Sequence, residues 1–258
     1  VTNKLINTLS NFNQLNFGFV QDAILLNRIE KKYLLNTLEF DTILNNLNQD
    51  YLCLEINDSI INNYYNTYFD TPDFDFYTQH HNQKPHRLKI RKRYYKTTNT
   101  YFLEIKQKNN KRTTKNRMKI FNSNSYLSSD ELDFISASTL IYNPAALSSN
   151  VQVNYKRLSM INKEFTERLS FDFDIEFVSN NKSIWLKNIV IAECKQITTT
   201  NSTFINTIKK NQIPQTSFSK YCIAISKFFP NIKRNNFKQQ LTFLEQYFYD
   251  GNFNAVTS

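Results

Sequence analysis

Residues 86–119 read HRLKIRKRYYKTTNTYFLEIKQKNNKRTTKNRMK. Thirteen Lys and Arg stand there against one acid, Glu104, so the stretch carries +12 while the whole chain of 258 residues carries +10. Everything else sums to −2. The cations follow a pattern. Arg87, Lys89, Arg91 and Arg93 alternate with Leu88 and Ile90, and further on Glu104, Lys106 and Lys108 alternate with Tyr101, Leu103 and Ile105. Successive side chains on a strand point to opposite faces, so this spacing predicts strands at 87–95 and 100–108, each with one apolar and one cationic face.

Working outward, the same alternation returns four times. Arg28, Glu30 and Lys32 oppose Ile29 and Tyr33, while Tyr155, Arg157 and Ser159 alternate with Leu158 and Met160. Arg168, Ser170, Asp172, Asp174 and Glu176 alternate with Leu169, Phe171, Phe173, Ile175 and Phe177. Glu193 and Lys195 oppose Val190, Ala192 and Cys194. One such strand is what any antiparallel sheet with a wet face presents. Six strands dominated by long cations with interspersed carboxylates are different. If the sheet closes into a barrel, those faces become one lumen. Unpaired buried cations cost several kcal/mol each. A lumen of this kind therefore makes sense around a polyanion, with or without a metal.

Other segments fill in an α+β order. Strands are expected at 51–57, 64–70, 151–161, 166–177 and 188–197. Asn36 and Glu39 have capping-box spacing ahead of a helix to Asp50 whose apolar face is Leu38, Ile43, Leu44 and Leu47. Ser128 and Glu131 open another helix that stops before Pro144. Helices at 202–211, 217–229 and 237–249 close the chain, the last with Leu241, Leu244, Tyr247 and Phe248 at helical spacing. The expected organisation is a lead-in over 1–27, one domain over 28–228 and a helical extension over 229–258.

Composition removes several function classes. Two glycines, Gly18 and Gly251, leave no room for a phosphate-binding glycine loop of either common nucleotide type. Cys53, Cys194 and Cys222 have no C-x-x-C spacing, which argues against zinc ribbons and a disulfide framework. The three histidines, His80, His81 and His86, are crowded into one stretch, which disfavours metallohydrolase and triad chemistry. No apolar run approaches the roughly 20 residues of a membrane helix. A cytoplasmic location is expected, with any membrane association running through a separate membrane protein.

Short motifs then fall into a known order. They are R-I-E-K-K-Y at 28–33, Y-F-D-T at 68–71, K-I-R-K-R-Y at 89–94, L-E-I-K at 103–106 and T-K-N-R at 114–117. Y-K-R at 155–157, E-R-L-S-F-D at 167–172, A-E-C-K at 192–195 and S-F-S-K-Y at 217–221 complete the series. Over about residues 24–228 the sequence resembles the VTC domain, the polyphosphate polymerase branch of the triphosphate tunnel metalloenzymes, in its stand-alone bacterial form. The resemblance implies an α+β fold, an antiparallel eight-stranded tunnel β-barrel with helices packed on the outside.

It also implies a site. Arg91, Arg93, Lys106, Arg157, Arg168 and Lys220 are the expected catalytic cations, and Lys32, Lys89, Lys115, Arg117 and Lys195 the expected phosphate ligands. Glu193 is the expected ligand of a divalent metal, Mn2+ or Mg2+, with Glu30 either a second ligand or a partner of Lys32. Glu104 and Asp172 are expected to balance charge and orient the arginines. ATP and inorganic polyphosphate are the implied partners. The tunnel hydrolases carry E-x-E-x-K on the first strand where this chain has Arg28-x-Glu30-x-Lys32, which favours the polymerase. Alternatives are a tunnel triphosphatase and a non-catalytic polyphosphate-binding module. A nucleic-acid binder is disfavoured because the Tyr and Phe lie mostly opposite the cations.

Overall fold

The computed structural model describes residues 2–20, 29–110, 112–141 and 143–250. In chain order the elements are α1 (Thr2–Leu9), β1 (Gln14–Asn16), β2 (Ile29–Asn36), α2 (Thr37–Leu47), β3 (Tyr51–Glu55), β4 (Ile61–Asp70) and α3 (Asp75–His81). There follow β5 (His86–Tyr95), β6 (Thr100–Asn109), β7 (Arg112–Ile120), α4 (Ser129–Ser138), β8 (Ser148–Asn162) and β9 (Glu167–Ser179). The last are β10 (Lys182–Leu186), β11 (Ile189–Gln196), α5 (Thr203–Lys210), β12 (Gln215–Thr216), α6 (Lys220–Phe228), α7 (Lys238–Leu244) and β13 (Phe248–Asp250). The class is α+β with a large, predominantly antiparallel sheet and several helices, as expected. The sheet has thirteen strands, several of them very short, and among the described residues its ladder is open at β7 and at β12. None of the described helices is long and apolar enough to cross a membrane.

The chain divides into two compact units, and both take residues from β4, β8 and β9. The first comprises residues 1–63, 155–174 and 187–218. Its strands run in the order β12-β2-β11-β9-β8, with β3 on β8 and β1 parallel on β3. The expected capping box forms. The Asn36 side-chain oxygen accepts the Leu38 and Glu39 N–H groups, each at 2.9 Å, and Glu39 Oε2 accepts the Asn36 N–H at 2.7 Å. Two of the orphan donors of the first turn are thereby satisfied at a fixed position, which starts α2 directly after β2. Helix α2 buries Phe40, Ile43, Leu44 and Leu47 in a core with Tyr33, Leu35, Leu169, Phe171, Val190 and Ala192. These are the apolar faces of β2, β9 and β11. Leu38, expected on the same helix face, is 72% exposed, because the stripe follows Phe40.

The second unit comprises residues 64–154, 175–186 and 219–258. Its strands run β8-β4-β5-β6-β7, with β10 on the end of β9 and β13 on β10. Ile90, Leu103 and Ile105 pack with Phe69, Phe76, Ile120 and Ile135, so the apolar faces of β5 and β6 are covered as their alternation required. A second capping box, Ser128 with Glu131, starts α4. Buried Asp70 accepts the N–H groups of Thr71, Phe76 and Tyr77 and the Tyr221 hydroxyl, tying β4 to α3 and α6.

Two features depart from the alternation rules. β9 pairs with β11 from Glu167 to Asp172 and with β10 from Ile175 onward, and between the two stands Asp174 with φ 48°. A left-handed residue inside a strand marks a local break in the ladder. The expected helix over 237–249 is also shorter. It ends at Leu244, turns through Glu245–Tyr247, and Phe248 and Tyr249 instead pair with Leu186 and Trp185. Edge pairing and the Phe177–Phe248 ring contact, 6.4 Å between centroids, outweigh the helical spacing.

Candidate functional site

In the first unit, β2, β11 and β9 bring the expected residues into register. Lys32 lies opposite Glu193, which lies opposite Ser170; Glu30 lies opposite Lys195, which lies opposite Arg168. Directly opposed residues share a face, so these side chains form a compact grid on the face away from the apolar core. Lys195 Nζ reaches Glu193 Oε1 at 2.5 Å, and Lys32 Nζ lies 3.8 Å from Glu193 Oε2. Lys32 Nζ also donates to Glu30 Oε1. The Lys32 ammonium is thus flanked by both carboxylates expected to hold metal.

Burial alone would raise the Glu193 carboxyl, but Lys195, Lys32 and Arg157 hold it well below the usual carboxylate range. Burial pulls Lys195 down and Glu193 offsets only part of that, whereas for Lys32 the pull of Glu193 and Glu30 prevails and its ammonium is raised. Arg157 grips Asp172 with two fork bonds, Nε at 2.5 Å and Nη2 at 2.8 Å, and lies over the Tyr155 ring. That geometry fixes the guanidinium plane. Arg168 lies over the Phe17 ring, 4.9 Å from its centroid. Arg28 lies outside the described residues.

The second unit carries the larger cationic field. Lys89, Lys106 and Lys115 form one row across β5, β6 and β7; Arg91, Glu104 and Arg117 form the next. Glu104 is almost wholly buried and is the hub of this face. It accepts Nε and Nη2 of Arg91, Nζ of Lys115 at 2.5 Å and the Tyr95 hydroxyl at 3.2 Å, with Arg93 Nη1 at 3.6 Å. Burial opposes its charge, yet Arg91, Arg93 and Lys115 keep it ionised far below the ordinary carboxylate range. Its expected orienting role matches this placement.

Around the hub, Arg91 Nη1 donates to the Tyr68 hydroxyl at 2.9 Å, and the Tyr68 ring stacks on Tyr221, 5.0 Å between centroids. Burial would raise the Tyr68 phenol, but Arg91, Arg93 and Lys89 bring it below its usual value. Lys89 Nζ donates to Ser219 Oγ at 2.9 Å, and Ser219 caps α6, whose first residue is Lys220. Lys106 is exposed. Arg117 is exposed and lies over the Phe102 ring. Lys111 falls outside the described residues.

Arg93 is placed differently from its neighbours. It is 6% exposed, lies over both the Tyr64 and Tyr95 rings at 5.4 and 5.6 Å from their centroids, and donates to Asn66 at 2.7 Å. Such a guanidinium is enclosed by protein on nearly every side. Sequence reasoning did not assign roles to Tyr68, Asn66, Tyr95 or Ser219. For Tyr68 a signal existed, since it opens the Y-F-D-T motif. Lys92 belongs to the opposite face, where it is buried against Glu131 at 2.9 Å and the Tyr126 carbonyl at 2.7 Å.

Among the described residues no group of three or more His, Cys, Asp or Glu side chains could hold a metal by itself. Glu30 and Glu193 nevertheless fit a hard divalent cation. Both offer carboxylate oxygens, and the Lys32 ammonium already stands in as their shared cation. Mg2+-like ions are commonly held by one or two carboxylates plus substrate phosphates.

A model of the VTC domain matches residues 27–229. No curated protein matches the sequence. Among solved structures, the chain is similar to a candidate adenylate cyclase from Bacillus halodurans at 15% identity and a TM-score of 0.47, covering 79% of this chain and 100% of that one. The PH1819 protein from Pyrococcus horikoshii is similar at 13% identity and 0.44, over 78% and 99%. A candidate adenylyl cyclase from Hippeastrum, described as having a dominant triphosphatase activity, is similar at 12% identity and 0.45, over 77% and 96%. These structural similarities are too distant to carry function.

Proposed function

The chain belongs to the VTC domain family, and on that premise we propose that it is a polyphosphate polymerase, transferring the γ-phosphoryl group of ATP to the end of an inorganic polyphosphate chain. The observation that supports this most is the cationic field of the second unit. Three lysines in register on three adjacent strands, flanked by Arg91 and Arg117 and balanced by the single carboxylate of Glu104, suit a polyanion with repeating charges. Arg91, Lys89, Lys106, Lys115, Arg117 and Lys220 bind phosphate oxygens in this reading, and Arg93 holds Glu104 and the tyrosines in place. In the first unit Arg157, Arg168, Lys195 and Lys32 bind phosphate, while Glu193 and Glu30 hold a divalent metal. That metal, Mn2+ or Mg2+, would be held by Glu193 and Glu30 and would supply charge neutralisation to the phosphate groups.

Phosphoryl transfer asks mainly for positioning and charge stabilisation. A terminal oxygen of the polyphosphate chain forms a bond to the γ-phosphorus as the bond from that phosphorus to the β,γ-bridging oxygen breaks, and ADP leaves with that oxygen. The nucleophile is already anionic near neutral pH, so no general base is required. The guanidinium forks of Arg91 and Arg157 are fixed by Glu104 and Asp172 and stay charged at any working pH.

Purified protein incubated with ATP and Mn2+ should yield a ladder of long polyphosphate on a gel, together with ADP. ADP and orthophosphate without any product longer than triphosphate would replace this reading with a triphosphatase. Tight polyphosphate binding with no ATP turnover would replace it with a binding module.

A further inference from the structure

We propose that Lys32 reserves the metal position: its ammonium, paired with Glu30 and 3.8 Å from Glu193, must leave before a divalent cation can be held there, and on leaving becomes a phosphate ligand. The inference rests on the proposed role of Glu30 and Glu193 as metal-holding carboxylates.

Charge counting motivates it. Glu30 and Glu193 bring two negative charges to this face, and two ammonium groups already answer them: Lys32, paired with Glu30 and 3.8 Å from Glu193, and Lys195, paired with Glu193. A dication added to that arrangement would meet two ammonium groups inside its own coordination space. Lys195 reaches only Glu193 among the two by direct contact, whereas Lys32 is shared by both carboxylates. Lys32 is therefore the group that competes for the metal position. Its side chain is 25% exposed and Glu30 28%, and a lysine ammonium on a four-carbon stem can swing without moving the strand.

Two consequences follow from linkage. Displacing the ammonium leaves a cation in search of an anion, so phosphate bound at Lys32 favours metal at the carboxylates. By reciprocity, metal favours phosphate by the same factor. Metal without phosphate is held weakly, and the two arrive together.

The test measures Mn2+ binding by the electron paramagnetic resonance of the free ion, without nucleotide. Lys32→Met should bind Mn2+ about tenfold or more tightly than the wild-type chain, a gain that Glu193→Gln in the same chain reverses. Lys31→Met makes the same charge change one residue away on the opposite face and should stay within about twofold of wild type. Saturating inorganic phosphate should tighten Mn2+ binding in the wild-type chain and do so less in Lys32→Met. A Lys32→Met chain with native circular dichroism that binds Mn2+ no more tightly than wild type overturns the proposal, as does an equal gain in Lys31→Met. If Lys32→Met does not fold, Lys32→Gln serves the same comparison. Wild-type binding unchanged by Glu193→Gln removes the metal reading itself, an outcome distinguishable from failure of the lysine exchange.

Discussion

Glu104 receives the Arg91 guanidinium through two nitrogens, Nε at 2.9 Å and Nη2 at 2.6 Å, on a single carboxylate oxygen. Its other oxygen takes the Lys115 ammonium and the Tyr95 hydroxyl. Replacing Glu104 leaves Arg91 and nearly buried Arg93 without their shared counter-charge. Glu104→Gln should cost about 3–5 kcal/mol of stability, readable by urea unfolding. The acid limb should change as well. A carboxyl held below its unfolded value stabilises above about pH 4.5 and loses that contribution as pH falls further. Unfolding of Glu104→Gln should therefore depend less on pH below about 4.5 than that of the wild-type chain.

Tyr68 accepts from Arg91 and is braced by Tyr221, so it is a positioning residue. Tyr68→Phe keeps the ring stack and loses the hydroxyl. Turnover should fall about tenfold with an ATP KM within about twofold of wild type, while stability changes by about 1 kcal/mol. A rise in KM with unchanged turnover would instead make Tyr68 a binding contact.

The Lys115 side chain is 44% exposed along its length, but its ammonium is drawn in against Glu104; the burial of that end pushes it down, Glu104 counteracts part of this and Arg91 and Arg93 add to it, leaving the group at about 8. As pH rises through about 8, Lys115 sheds its proton and the cationic row loses a charge, so affinity for tripolyphosphate should fall there. Lys115→Arg should flatten that fall, since a guanidinium keeps its charge. For folding the sign is opposite. The unfolded chain binds more protons between about 8 and the ordinary lysine value of 10.5, so this group's contribution to stability rises with pH across that window. Isothermal titration with tripolyphosphate on either side of pH 8 checks the binding half.

Lys92 and Glu131 form a buried pair outside the proposed site, with side chains 2% and 7% exposed. Glu131 also closes the capping box of α4. Lys92→Met alone should destabilise by about 3–5 kcal/mol, because it strands a buried carboxylate. The double variant Lys92→Met, Glu131→Gln should recover most of that loss, and turnover per folded molecule should stay near wild type in both. Thermal melts and activity normalised to folded protein separate these outcomes.

The legible part of this protein was local. Leu and Ile alternating with Lys and Arg on β5 and β6 fixed which face is apolar, and Ile90, Leu103 and Ile105 are buried accordingly. The Asn36–Glu39 and Ser128–Glu131 spacings placed two helix starts within a residue, since a capping box uses only neighbours. What could not be read depends on distant partners. Arg93 has the same parity as Arg91, yet Tyr64 and Asn66 of β4 draw it inward. Lys92 breaks parity because Glu131, 39 positions away, neutralises it. β7 was seen only as a basic run: Met118 is partly buried and Ile120 buried, leaving too little apolar alternation in Arg112–Ile120 to announce a strand. In the site, motif order nominated Lys32, Glu30 and Glu193 together, but nothing local says that one ammonium serves both acids.

The break at Asp174 and the shared use of β4, β8 and β9 bear on how the chain can be made. The first unit needs residues from three separate stretches, the last ending at Phe218. During synthesis it cannot be completed until that residue has left the ribosome, by which time most of the second unit's sequence has already emerged. Neither half can be cut out as a continuous gene fragment. Truncations designed to isolate one half should yield insoluble product.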